Sequence, residues 1–120
     1  MSFIGRLFGG GVPNVDATTA RQLVDDGAFM LDVRTTHEWN AGHAPFATHI
    51  QMQDLANNLN RVPRNKKVVV VCRSGNRSKS VARQLLAGGH DVVNLQGGLH
   101  AWVRAGQPLV DRSGRHGSVI

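Results

Sequence analysis

Short apolar runs alternate along the chain with stretches of helical periodicity. Val12 to Val15 reads as a first short strand. A helix follows to about Asp26, capped by Asp16 or Thr18, with Leu23 and Val24 inward and Gly27 as its stop. Phe29 to Val33 is a compact apolar strand, Thr36 to Asn40 one or two helical turns closed by Gly42, and Thr48 to Ile50 another short strand. Met52 to Leu59 places Met52, Leu55, Ala56 and Leu59 on one helical face. The clearest signal is Lys67 to Cys72. Val68, Val69, Val70 and Val71 show no polar alternation, and consecutive β-branched residues suit a strand covered on both faces. A helix from about Arg77 to Ala87 carries Val81, Ala82, Leu85 and Leu86 as its stripe and ends at Gly88-Gly89. Asp91 to Leu95 is the next strand and Gly98 to Ala105 the last helix. Strands alternating with helices predict an α/β fold with a parallel sheet.

The 120 residues make one domain. Hydrophobic content of 41% with 18% charged residues suits a globular chain rather than a disordered one. The expected division is an N-terminal segment over 1–11, a domain over 12–110 and a polar, basic tail over 111–120. In the first segment Phe3, Ile4, Leu7 and Phe8 share one face of a short helix, with Gly9-Gly10-Gly11 as a hinge. No apolar run approaches the roughly 20 residues of a membrane helix. No secretory h-region or cleavage site is visible, so the default compartment is the cytoplasm. Lys and Arg outnumber Asp and Glu by 14 to 8, a net charge of +6 that favours an anionic substrate or partner. No Lys/Arg run marks a nucleic-acid tract, so nucleic acid is not expected. A single cysteine excludes an internal disulfide and a multi-cysteine zinc site. His37, His43 and His49 have a spacing that suits neither a helical face nor a zinc pattern. Neither a metal nor a cofactor is expected.

The chemistry concentrates where the valine strand ends. The run Cys72-Arg73-Ser74-Gly75-Asn76-Arg77-Ser78 joins that strand to the next helix. Ligands of open α/β sheets bind at the carboxyl ends of strands. The helix that follows presents unpaired N–H groups and a positive dipole end. Gly75 and Asn76 are suited to unusual backbone angles, so a tight loop can aim several N–H groups at the sulfur. Arg73, Arg77 and Lys79 add positive charge. Each influence favours thiolate, so Cys72 is expected to be a nucleophile rather than an inert core thiol.

That loop resembles the active-site loop of rhodanese-type sulfurtransferases. Leu31-Asp32-Val33-Arg34, Glu38-Trp39 and Gly42-His43 match the family's first signature. Asn94-Leu95-Gln96-Gly97-Gly98, Ala101-Trp102 and Ala105-Gly106-Gln107-Pro108-Leu109 match its C-terminal one. The resemblance spans about residues 14–110. One departure is Phe46, where the family usually has glycine; it is expected to place an aromatic near the surface. The resemblance implies a five-stranded parallel sheet with helices on both faces. It implies that Cys72 takes the outer sulfur of an anionic donor such as thiosulfate or a persulfide, and passes it from a Cys72 persulfide to a thiophilic acceptor. Arg73 and Arg77 are suited to the donor's sulfonate. With one thiol in the sequence, the acceptor is external: cyanide, a small thiol or another protein.

Other polar residues read as support. Asp32 is expected to hydrogen-bond backbone near the loop, Arg34 and Glu38 to form an ion pair, and His43 to brace the loop. Trp39 and Trp102 read as packing, and Lys79 with Arg83 as a solvated face. Competing functions are a non-catalytic binding module, which would not need the cysteine, and a cysteine phosphatase or arsenate reductase of related fold. Cysteine phosphatases use one more residue between cysteine and arginine than the four here, Arg73 to Asn76. A thiol protease would need a histidine base beside Cys72, and no such signature surrounds it.

Overall fold

The computed structural model describes residues 11–120, so the expected N-terminal segment lies outside it except for Gly11. The elements are β1 (Asn14–Val15), α1 (Ala17–Asp25), β2 (Phe29–Asp32), α2 (Thr36–Ala41), β3 (Thr48–His49), β4 (Val68–Val71), α3 (Asn76–Ala87), β5 (Val92–Leu95) and α4 (Gly98–Arg104). The five strands form one parallel sheet in the order β1-β5-β4-β2-β3. Parallel strands need crossovers, and the helices that supply them cover both faces.

The valine run explains the centre of this sheet. Pleating sends alternate side chains to opposite faces. Val68, Val70 and Cys72 therefore join the core beneath Val81, Ala82 and Leu85 of α3. Val69 and Val71 join the other core, with Ala17 and Ala20 of α1 and Leu99 and Trp102 of α4. All four valines are fully buried, as the unalternating pattern predicts. Asp16 caps α1 by accepting from the Thr19 N–H at 2.8 Å.

Two expectations change. Met52 to Leu59 is not one α-helix but two 3₁₀ turns, Met52–Asn57 and Leu59–Arg61. A 3₁₀ turn repeats every three residues, so the apolar positions do not share a face. Leu55 is buried while Leu59 is 46% exposed. The segment after Val110 is not a free tail. His43 and Val110 exchange backbone hydrogen bonds at 2.8 and 2.9 Å, Val110 bridges His116, and the Ser118 N–H donates to Ala41 O at 2.8 Å. Gly42 permits this close approach, because a Cβ there would lie 2.4 Å from Ser118 O. The polar composition hid the docking because backbone groups, not apolar side chains, supply most of it. Among the described residues no helix is long and apolar enough to cross a membrane.

Candidate active site

β4 delivers Cys72 to the carboxyl edge of the sheet, between the ends of its neighbours β2 and β5. The loop then turns at Gly75, whose φ of +107° lies in the left-handed region that glycine tolerates. This turn brings the Gly75 N–H to 3.1 Å from Cys72 Sγ. Asn76 takes no unusual angle, contrary to expectation; it opens α3 in ordinary helical conformation. One turn into α3, Ser78 Oγ lies 3.3 Å from the same sulfur. From the other side the Leu99 and His100 N–H groups of α4 donate to the carbonyls of Cys72 and Arg73, at 2.9 and 3.3 Å.

Cys72 is 1% exposed, so its thiol is set into the surface rather than standing on it. Burial is the largest single influence on its ionisation and pushes the pKa up. The Ser78 hydroxyl and the N–H groups of Ser78, Gly75 and Ser74 together outweigh burial, and the thiol ends below its ordinary value. These donors come from the first turn of α3 and the loop before it, where orphan N–H groups and the dipole favour an anion.

The residues expected as support are brought together, but in different pairs. Arg34 does not pair with the Glu38 carboxylate. Its guanidinium meets Asp32, with Nη2 2.7 Å from Oδ2 and both side chains fully buried, and it donates to the carbonyls of Glu38 and Gly42. The spacing of four misleads because α2 begins only at Thr36, so Arg34 lies outside the helix. Asp32 also accepts from the Arg34 N–H, so the backbone it binds is that of its own strand end, beside the end of β4. Glu38 instead takes Arg77 in a two-point pair, 2.7 and 2.8 Å, while closing a capping box with Thr35. Both terminal nitrogens of Arg77 are thus committed to Glu38. Arg73 is exposed, and its Nε donates to Ile120 O at 2.8 Å. Ser74 and Asn76 are exposed at the rim.

His43 stacks on Trp39 at 3.7 Å and bonds Trp39 O through Nδ1 at 2.7 Å, bracing the end of α2. His49 stacks on the same indole at 4.8 Å. Two of the three evenly spaced histidines therefore meet around an aromatic ring. Among the described residues no group of three or more His, Cys, Asp or Glu is placed to hold a metal ion. Phe46 is 38% exposed, edge-on to buried Trp102 at 5.7 Å and beneath the Arg21 guanidinium at 5.1 Å. A cavity of about 740 Å³ lies between α4 and the C-terminal segment, and no residue of the cysteine loop lines it.

Sequence reasoning missed Asn94 as a site residue. From β5, its buried amide reaches Ser78 Oγ at 2.6 Å, Asn14 Oδ1 at 3.0 Å and Gly75 O at 3.3 Å. An asparagine in the interior of a buried strand is an unfavourable choice without partners, and that was the available signal.

Residues 16–105 match the family model described as a rhodanese-like domain. The chain is 33% identical over 106 residues to a sulfurtransferase of Allochromatium vinosum, spanning 86% of this chain and 99% of that one. It is 34% identical over 84 residues to the thiosulfate sulfurtransferase GlpE of Pseudomonas savastanoi pv. phaseolicola, spanning 69% and 79%. A crystal structure of a rhodanese-like domain protein from Staphylococcus aureus shares the fold with a TM-score of 0.72 at 30% identity, covering 89% of this chain and all of that one.

Proposed function

The chain belongs to the rhodanese-like family and is a sulfurtransferase of that type, and from this premise we propose that it moves sulfane sulfur through a persulfide on Cys72. One observation carries the reading: the buried sulfur that ends the central strand is met by the Gly75 N–H and the Ser78 hydroxyl, and its pKa is depressed. The thiolate attacks the outer sulfur of thiosulfate or of an organic persulfide. A sulfur–sulfur bond forms to Cys72, the donor's own sulfur–sulfur bond breaks, and sulfite or a thiolate leaves with the electron pair. An acceptor thiolate or cyanide then attacks the outer sulfur and returns Cys72 as thiolate. The N–H cradle suits both anionic forms of the sulfur and needs no reorganisation between the two steps.

Arg73, at the exposed rim with Ser74 and Asn76, is the proposed partner of the donor's anionic end. Arg77 is assigned to holding the loop, because Glu38 already occupies both its terminal nitrogens. No cofactor enters this scheme. Cys72 is the one cysteine of the sequence, so the acceptor thiol belongs to another molecule. Such thiols stay reduced in the cytoplasm, which is the proposed compartment.

The intact mass of reduced protein, read before and after thiosulfate, tests the reading. Wild type is expected to gain one sulfur atom, removable by cyanide or dithiothreitol, and Cys72→Ser to gain none. Sulfur gain by the serine variant would overturn the assignment of Cys72.

A further inference from the structure

One hydroxyl proton stands between two acceptors beside the reactive sulfur. Ser78 Oγ is fully buried, 2.6 Å from Asn94 Oδ1 and 3.3 Å from Cys72 Sγ. The other end of the Asn94 amide settles its orientation. Nδ2 faces the Gly75 carbonyl, which only accepts, and Asn14 Oδ1. A reversed amide would set two carbonyl oxygens against each other at Gly75. Oδ1 therefore faces Ser78 and, having no proton of its own, takes the hydroxyl's. Ser78 then turns a lone pair toward the sulfur, which suits a protonated thiol donating to Oγ. A thiolate requires the reverse: the hydroxyl rotated onto sulfur, with Asn94 Oδ1 left without its donor.

We propose that Asn94 is a positioning residue for Cys72, holding the Ser78 proton on its amide while the sulfur is a thiol and yielding it when the sulfur is an anion. The rotation moves no proton between heavy atoms; the thiol's own proton leaves to solvent. Breaking the Ser78–Asn94 bond becomes part of the cost of ionisation, so Asn94 restrains the thiolate that the loop N–H groups favour. The inference rests on Cys72 as the sulfur-carrying residue, but its consequence is an ionisation constant and not a transfer rate.

The charged groups around the loop do not share this role. Arg77 of α3 is matched by Glu38 of α2, and Arg34 by Asp32 at the end of β2. Arg73 turns to Ile120 O, and His100 of α4 meets the loop through its backbone N–H. Lys79 follows Ser78 on α3 and is half-buried. None of them hydrogen-bonds Ser78 or Asn94 among the described residues, whereas Asn14, Asn94 and Ser78 are all uncharged.

The ultraviolet absorbance of the thiolate titrates Cys72 alone, since the sequence has one cysteine and no tyrosine. Ser78→Ala removes a donor and is expected to raise the thiol pKa. Asn94→Val places a strand-compatible residue at 94 and removes the competing acceptor, so the ionisation constant is expected to rise about fivefold, the worth of one neutral hydrogen bond. In the Ser78→Ala background the same Asn94→Val change is expected to leave the constant within about twofold. Equal effects in both backgrounds would mean that Asn94 acts only through the shape of the loop, and the proposal falls. A raised pKa in the wild-type background also overturns it. Should Asn94→Val not fold, Asn94→Asp carries the test: its carboxylate holds the Ser78 proton harder, so the pKa rises more in the wild-type background than in the Ser78→Ala background. Equal rises overturn the proposal. Failure of thiosulfate to load Cys72 would refute the donor reading while leaving this titration intact.

Discussion

Two ion pairs near Cys72 look alike by distance and differ in consequence. The Asp32–Arg34 pair has no exposure on either side, while Arg77 is 37% and Glu38 13% exposed. Removing one member of the buried pair strands the other in low dielectric. Arg34→Met is therefore expected to cost about 3–5 kcal/mol in denaturant unfolding, because the Asp32 carboxylate and the Glu38 and Gly42 carbonyls lose their donor. Glu38→Gln is expected to cost only about 1 kcal/mol at neutral pH, since solvent screens the partly exposed pair. The pH dependence separates the two further. Hydrogen bonds from Arg77 lower the Glu38 carboxyl from 4.5 to about 2, against the opposing effect of burial. A depressed carboxyl stabilises above its unfolded value and loses that stabilisation as the pH falls through the folded one. Wild-type stability is thus expected to decline between pH 4.5 and about 2, and Glu38→Gln to flatten that decline. An unchanged acid limb in the variant would remove Glu38 from it. Neither pairing was legible in the sequence, because Arg77 lies 39 positions from Glu38 and the nearer Arg34 offers a plausible false partner.

At the scale of elements, two helices converge on one loop, and glycine sets how closely. Gly98 opens α4 with φ +60°, and a Cβ there would lie 2.5 Å from the carbonyl oxygens of both Cys72 and Arg73. That proximity is what lets Leu99 N–H reach Cys72 O. Gly98→Ala is expected to push α4 and the loop apart, lowering stability by about 1–3 kcal/mol and raising the Cys72 pKa as the cradle loosens. A thermal melt and a thiolate titration check both parts, and a wild-type titration in a destabilised variant would uncouple α4 from the cradle. Gly75 was visible in the sequence because it acts locally, whereas the close approach that Gly98 permits involves carbonyls distant in sequence and was not. Also visible were α3 and the valine strand, where periodicity and β-branching agree with the tertiary outcome. The edge strands β1 and β3 were read at the right places but too long, since each is only two residues. The 3₁₀ turns after Met52 were misread because their repeat is close to helical. Asn94 was legible only as part of the C-terminal signature, because its partners, Asn14 and the loop residues Gly75 and Ser78, come from two other parts of the chain.

The molecule as a whole carries six positive charges more than negative ones, while the charges beside the sulfur are largely matched in pairs. The excess therefore acts at long range, drawing anions toward the surface rather than gripping them at Cys72. Arg73 is the exposed cation of the loop itself, and its Nε donates to Ile120 O. Screening decides how far this attraction reaches: the Debye length is ~30 Å at ~0.01 M salt and ~8 Å at ~0.15 M. Persulfide formation from thiosulfate, a dianion, is expected to slow several-fold over that range. Iodoacetamide, an uncharged reagent that alkylates the same Cys72 thiolate with loss of iodide, is expected to react at a rate that salt does not change. Arg73→Ala is expected to slow thiosulfate loading and shallow its salt dependence without altering the melting temperature, because the side chain is exposed. Equal salt slopes for thiosulfate and iodoacetamide would show that the charge excess plays no part in recruitment and that selectivity resides in the loop alone.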